Sequence, residues 1–225
     1  AALKPEVEDC FTKIRLPYTV GYGMTEACPL LGWEWCTEFV PGSCGKPVHE
    51  LRINSDGPRN VPGEIQVRGA NLTIGYYKNP EANAAAFTDD GWFRTGDLGL
   101  LDKDNNIFIR GRIKSMILNS SGQNIYPEEL EAVLSGCPYV SESLVVERNG
   151  RLVALVYPEL PDDLDLDKRP EIPALGSAAL TEVKELIRST ANKSLPGYSK
   201  INEVEFVDEP FEKTPKMSIK RYLYR

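Results

Sequence analysis

The sequence is poor in the residues that metal and nucleophile chemistry draws on most. It has one histidine, His49, in 225 residues, and its five cysteines (Cys10, Cys28, Cys36, Cys44 and Cys137) form no C-x-x-C pair. Zinc-ribbon and thioredoxin-like chemistry are therefore not expected, and an odd, unpaired set reads as reduced thiols in a cytoplasmic protein. A Ser-His-Asp or Cys-His arrangement would have to use His49, which sits in Lys46-Pro47-Val48-His49-Glu50 with no nucleophile motif beside it. No apolar run reaches the roughly 18 residues that span a bilayer, so no transmembrane segment is expected. The opening Ala1-Ala2-Leu3-Lys4-Pro5 turns polar too soon for a signal peptide. Ala1 is not an initiator residue, so the start reads as a cut or processed end. Positive charge is also in deficit. The net charge of −7 makes the chain a poor general binder of nucleic acid or anionic membrane.

What is present is ordinary for a soluble globular protein, with 41% hydrophobic and 26% charged residues. The length suits one large domain or two small ones. Tyr18–Val20 reads as a short buried strand that runs into the glycines of Gly21-Tyr22-Gly23. Residues 41–75 are punctuated by glycine and proline, and Leu51–Ile53 and Glu64–Arg68 alternate as half-buried strands. Such spacing predicts a small barrel or curled sheet. Glu81–Phe87 reads as a short helix. Leu98–Leu101 and Ile107–Arg112 read as strands either side of the Asp/Asn turn 102–106.

Arg112-Ile113-Lys114 then falls where no regular element holds it, and the domain boundary is placed there. Beyond it the pattern is mixed. The apolar run Met116–Leu118 leads through a Ser-Ser-Gly turn to a helix over Tyr126–Ser135. Pro127 stands at its start, Glu128 and Glu129 in its first turn, and Gly136 closes it. Asn149-Gly150 between Ser143–Val146 and Arg151–Tyr157 is a strong hairpin signal. Pro158–Pro173, with Asp162, Asp163, Asp165 and Asp167, reads as a solvated acidic loop. Thr181–Lys193 predicts a helix capped by Thr181, with Val183, Leu186 and Ile187 facing the core. Asn202–Val207 reads as a last strand. The fold class expected is α+β: a β-rich, barrel-like subdomain over residues 1–113, then a small mixed α/β domain over 114–225.

Several stretches together resemble the adenylate-forming (AMP-binding) superfamily. They are Gly21-Tyr22-Gly23-Met24-Thr25-Glu26, Trp92-Phe93-Arg94-Thr95-Gly96-Asp97, Gly111-Arg112-Ile113-Lys114 and Gly122-Gln123-Asn124-Ile125-Tyr126-Pro127. They fall in the family's order. The resemblance implies that Tyr22 stacks on adenine, with Gly23 beside it, that Thr25 touches phosphate and that Glu26 ligates Mg²⁺. It implies that Asp97 holds the ribose hydroxyls, that Arg112 helps hold the nucleotide, and that Lys114 is the hinge of a mobile C-terminal domain. The Ser120-Ser121-Gly122 turn would line the approach of a thiol. Hydroxyl and carboxylate oxygens do suit Mg²⁺ shared with phosphates, and a carboxylate can accept two charge-assisted bonds from a diol.

The implied cofactors are ATP/AMP and Mg²⁺, with coenzyme A as co-substrate and a carboxylic acid as the second small-molecule substrate. The family's phosphate loop is not found in these residues, so the chain reads as the C-terminal fragment of a longer enzyme, inactive without the N-terminal part of the same chain. Ser121–Glu129 and Phe211-Glu212-Lys213-Thr214-Pro215 most resemble the bacterial long-chain fatty acid–CoA ligases. A carrier-protein-linked or aryl-acid adenylating enzyme, or a non-catalytic nucleotide-binding module, remain as alternatives. The tail departs from the family pattern: without gaps, the position of the family's catalytic lysine falls on Ser218. If the tail is extended, Lys216 and Lys220, each two residues away, share its face, and either could supply the cation, with Lys220 preferred.

Overall fold

The computed structural model describes residues 3, 5–119, 121–159, 177–215 and 217–224. It divides into two compact units, Ala2–Ser115 and Met116–Arg225. The α+β expectation holds in both.

The first unit opens with helix α1 (Pro5–Lys13) and continues through β1 (Tyr22–Gly23), β2 (Leu30–Trp33) and β3 (Lys46–Pro47), which form an antiparallel three-stranded sheet. Then come β4 (Glu50–Asn54), β5 (Gly63–Arg68), α2 (Pro80–Ala86), β6 (Phe93–Leu101) and β7 (Ile107–Arg112). Strands β4 to β7 pair antiparallel in chain order, so this sheet has two edges and is not a closed barrel. Its core joins Leu31, Ile53, Ile65, Val67, Phe93 and Ile107, with Phe87 edge-on to Phe93 at 5.3 Å. Aromatic and β-branched side chains fill a pleated face well, which is why these runs pair as strands.

The β6–β7 connection is built as its residue types suggest. Asp102 Oδ1 accepts the backbone N–H groups of Asp104 (2.9 Å) and Asn106 (2.8 Å), and Asn105 takes a left-handed φ of 65°. Two readings fail. Tyr18–Val20 is half-buried but forms no strand, because the chain turns into β1 only at Tyr22. Glu64–Arg68 is not a simple alternating strand, since Gln66 is buried too. Its amide is satisfied there: Oε1 accepts from Arg52 Nε at 2.8 Å and Nε2 donates to Glu64 Oε2 at 2.9 Å.

The second unit starts with the short pair β8 (Ile117–Leu118) and β9 (Asn124–Ile125), then α3 (Pro127–Ser135). Next come β10 (Val140–Arg148), β11 (Arg151–Pro158), α4 (Ser177–Ser194) and β12 (Glu203–Phe206). β10 and β11 are antiparallel around Asn149 (φ 52°) and Gly150 (φ 75°), the two left-handed residues of a type I′ turn. β12 adds parallel to β11. One face of this sheet (Val145, Leu152, Ala154, Val156) packs on Leu130, Leu134, Ile187 and Ala191 of α3 and α4. The other face (Leu144, Val146, Val153, Leu155) is covered by Phe211, Ile219 and Tyr224 from the tail. Cover on both faces explains the unbroken apolar run of β11.

The helix α4 begins before Thr181, so Thr181 lies inside it rather than capping it. Ile187 is fully buried and Val183 packs on the core, but Leu186 is 44% exposed: it lies off the stripe that faces the sheet. Of the acidic stretch 158–173, residues 160 onward lie outside the described residues. No helix among the described residues is long and apolar enough to cross a membrane.

Candidate functional site

In the first unit, three of the residues singled out from the sequence meet directly. Asp97 and Arg112 are cross-strand partners in β6 and β7, and Arg112 Nε lies 2.9 Å from Asp97 Oδ1. Tyr22, on β1, donates its hydroxyl to Asp97 Oδ2 at 2.8 Å across 75 residues of sequence. Tyr22 and Asp97 are buried, whereas the Arg112 side chain is 67% exposed. Thr95 fixes the backbone at Asp97: its Oγ1 donates to the Ile65 carbonyl (2.8 Å) and accepts the Asp97 N–H (3.1 Å).

Burial, and then the charge of Asp97, push the Tyr22 hydroxyl far above its ordinary pKa. Tyr22 therefore stays a donor at any working pH. The cluster is a carboxylate with one donor on each oxygen. Each oxygen keeps an acceptor lone pair, so the group can still take hydroxyl donors from a ligand.

Thr25 and Glu26 begin a single 3₁₀ turn, Thr25–Ala27, directly after β1, and Thr25 is exposed. Glu26 is held from the loop between β5 and α2. Tyr76 donates its hydroxyl to Glu26 Oε1 at 3.0 Å, and the Thr73 N–H reaches the Glu26 carbonyl at 2.7 Å. Nothing local to Tyr76 signals this contact, which spans 50 residues. Among the described residues no group of three or more His, Cys, Asp or Glu side chains could hold a metal by itself. The donors do fit Mg²⁺ in its usual manner, where one carboxylate and substrate phosphates share the ion. Gly23 has a local reason of its own: a Cβ there would lie 1.9 Å from the Pro29 carbonyl oxygen, so only glycine fits.

Arg112 ends β7 rather than standing in a loop, and Ile113–Ser115 forms a 3₁₀ turn that contains Lys114. That corrects the expectation of a stretch without regular structure.

In the second unit, Asn119 organises the turn before β9. Its Oδ1 accepts the N–H groups of Ser121 (3.0 Å) and Gln123 (2.9 Å), and Gly122 takes a φ of 76° with open space around it. A cleft of about 500 Å³ adjoins this turn, lined in part by Asn119, Ser121, Gln123, Tyr198 and Lys200.

The tail is not extended. The Thr214 N–H bonds the Ser218 carbonyl (2.8 Å), Met217 turns left-handed (φ 60°), and Lys213 bridges to Ile219. The chain therefore reverses over the turn Thr214–Ser218, and the extended tail on which a shared lysine face depended is not what forms. Lys220 Nζ is paired with Glu212 at 3.0 Å, and that bond holds its ammonium above the ordinary lysine pKa. Lys216 lies outside the described residues.

Comparison with known proteins bears on this geometry. Residues 1–77 match the family model described as AMP-binding enzyme, and residues 114–224 match that described as AMP-binding enzyme C-terminal domain. The chain is 33% identical to 4-coumarate-CoA ligase 2 of Narcissus pseudonarcissus, over 98% of this chain and 39% of that protein. It is 42% identical to 2-succinylbenzoate–CoA ligase of Bacillus velezensis, over 62% of this chain and 29% of the relative. Among solved structures it is similar to the O-succinylbenzoate coenzyme A synthetase of Bacillus subtilis in complex with ATP and magnesium ion. There the identity is 27%, the TM-score 0.75, and the match covers 98% of this chain and 44% of that one. The chain thus spans less than half the length of the relatives it matches.

Proposed function

As the chain belongs to the AMP-binding enzyme family, we propose that the protein containing it is an AMP-forming acid–CoA ligase. An acid carboxylate attacks the α-phosphorus of ATP, the bond to the β-phosphate breaks, and pyrophosphate leaves an acyl-adenylate. The sulfur of coenzyme A then attacks the acyl carbonyl, and AMP departs with the C–O bond electrons. The observation that carries this reading is the buried Asp97 carboxylate held between Tyr22 and Arg112.

In this reading Asp97 takes the ribose diol, and Tyr22 and Arg112 fix its orientation. Thr25 meets phosphate, and Glu26, steadied by Tyr76, supplies the protein oxygen for Mg²⁺, which offsets phosphate charge. Lys114 is the hinge, and the Gly122 turn with its neighbouring cleft is where the thiol approaches. Lys220 and Lys216 are the tail's candidate cations. For the acid, the relatives named for 4-coumarate and 2-succinylbenzoate support an aryl acid rather than the long-chain fatty acid expected from Ser121–Glu129 and Phe211–Pro215.

The test uses the longer protein, with ATP–pyrophosphate exchange measured over a panel of aryl and long-chain acids. Aryl-acid-dependent exchange is expected, and the 225-residue chain alone should give none. Asp97→Ala should raise the KM for ATP by about tenfold or more, because a bond to a charged acceptor contributes roughly 1.5–3 kcal/mol. Exchange that no acid stimulates, or an unchanged KM for ATP, refutes the proposal.

A further inference from the structure

The tail is held on the second unit by a charged anchor that the nucleotide chemistry does not use. Arg221 contacts two glutamates of α3: its Nη2 donates to Glu131 Oε2, and its Nε lies 3.7 Å from Glu128 Oε1. Its Nη1 also donates to the Val145 carbonyl of β10 at 3.3 Å. Glu131 completes the circuit, since its Oε1 accepts the Val145 N–H at 2.7 Å. The Arg221 and Glu131 side chains are only 19% and 18% exposed, so this pair is not a solvated surface bridge. A forked guanidinium that meets two carboxylates and a carbonyl fixes direction as well as distance.

Around this anchor the tail closes on itself. Lys220 N–H bonds the Glu212 carbonyl (2.8 Å), Tyr224 Oη accepts the Glu212 N–H (2.8 Å), and Phe211 stands edge-on to Tyr224 at 5.0 Å. Lys213 Nζ reaches Glu142 at 2.7 Å. The exposed end of this hairpin is the turn Thr214–Ser218, which carries the position where the sequence has serine in place of the expected lysine.

We propose that Arg221 is a positioning residue: by clamping Glu131, Glu128 and Val145 it holds the tail hairpin in one orientation, and adenylation depends on that orientation. The second half of this statement rests on the proposed ligase reading; the first does not. Glu131 also depends on its partner. Burial pushes its carboxyl up, to about 7, and Arg221 opposes the rise. Without the guanidinium the buried carboxyl loses the cation that compensates it, and the tail loses its fixed point.

The test has two arms. In the 225-residue chain, amide hydrogen exchange is compared between the parent sequence and Arg221→Gln. Loss of a charged, half-buried clamp should speed exchange at Glu212, Thr214 and Lys220 about tenfold or more, while the β10–β11 ladder keeps its protection. Unchanged tail exchange overturns the clamp. Should Arg221→Gln not fold, Glu131→Gln reads the same loss, because it keeps the side chain's shape and its bond from Val145.

In the longer protein, Arg221→Gln should slow acyl-adenylate formation about tenfold and leave thioester formation from supplied acyl-adenylate at the parent rate, with partial recovery in Arg221→Lys. Equal slowing of both half-reactions would mean a merely structural role and overturns the positioning claim, as does unchanged adenylation with a freed tail. If the parent protein shows no acid-dependent exchange at all, the ligase reading fails while the hydrogen-exchange arm still judges the clamp.

Discussion

The Tyr22–Asp97 bond permits a worked test. Tyr22→Phe removes one hydroxyl and nothing else. That hydroxyl is buried, 2.8 Å from Asp97 Oδ2, and its partner carboxylate is itself buried, at 7% exposure. A hydrogen bond to a charged group contributes roughly 1.5–3 kcal/mol, and a carboxylate left short of a donor in a buried place incurs the upper part of that range. Asp97 keeps Arg112, which is largely exposed and therefore weakened by solvent, so the expected loss is about 2 kcal/mol.

The assay is specific because Trp33, Trp35 and Trp92, the three tryptophans of the sequence, all lie in the unit Ala2–Ser115. Tryptophan fluorescence in a denaturant titration therefore reports this unit alone. The cycle is completed with Asp97→Asn and the double variant, and a coupling of about 1–2 kcal/mol is expected. The loss should not vary between neutral and mildly alkaline pH, since burial and then Asp97 keep Tyr22 protonated throughout. A Tyr22→Phe loss under about 0.5 kcal/mol, or a loss with no coupling to Asp97, refutes the account. In the second case packing alone would explain the tyrosine.

Two further predictions concern surface charge and core packing. Arg52 grips Asp90 with both terminal nitrogens, at 2.7 and 3.0 Å, and holds its carboxyl down to about 2 from the ordinary 3.8. A depressed carboxyl stabilises the fold above its unfolded pKa and loses that contribution as pH falls through the folded value. Arg52→Gln should therefore return the Asp90 pKa toward 3.8 by NMR titration and flatten the acid limb of stability between these values; a pKa that stays near 2 refutes the pairing. Ile187→Ala should destabilise the second unit by about 2–5 kcal/mol, because Ile187 is fully buried between α4 and the sheet, whereas exposed Leu186→Ala should cost under about 1 kcal/mol. Similar losses from the two, measured by chemical denaturation, would refute the assignment of the buried face.

What the sequence determined by itself is what its neighbours in sequence could enforce. Asn149-Gly150 can take two left-handed residues in succession, so the β10–β11 hairpin follows from the dipeptide. Asp102 caps its own turn across four residues, and Pro127, Glu128, Glu129 and Gly136 mark both ends of α3. The candidate residues of the nucleotide chemistry were legible for the same reason: each sits in a short run of distinctive residue types.

The tertiary structure decided whatever depends on partners far along the chain. The Tyr22 hydroxyl finds its partner, Asp97, 75 residues away. Gln66 became a core residue because Arg52 and Glu64 close over its amide, which no alternation pattern encodes. Leu186 fell outside the core because the helix meets the sheet along a narrower stripe than periodicity allows. An extended tail was only the condition under which its lysines would share a face, and the tail folds back because Phe211, Ile219 and Tyr224 cover the open face of β10 and β11. Arg221 could not be distinguished from any other terminal cation until α3 brought Glu128 and Glu131 to it. A pairing across 90 residues leaves no trace in local composition, since the free energy that selects it comes from desolvating both partners together.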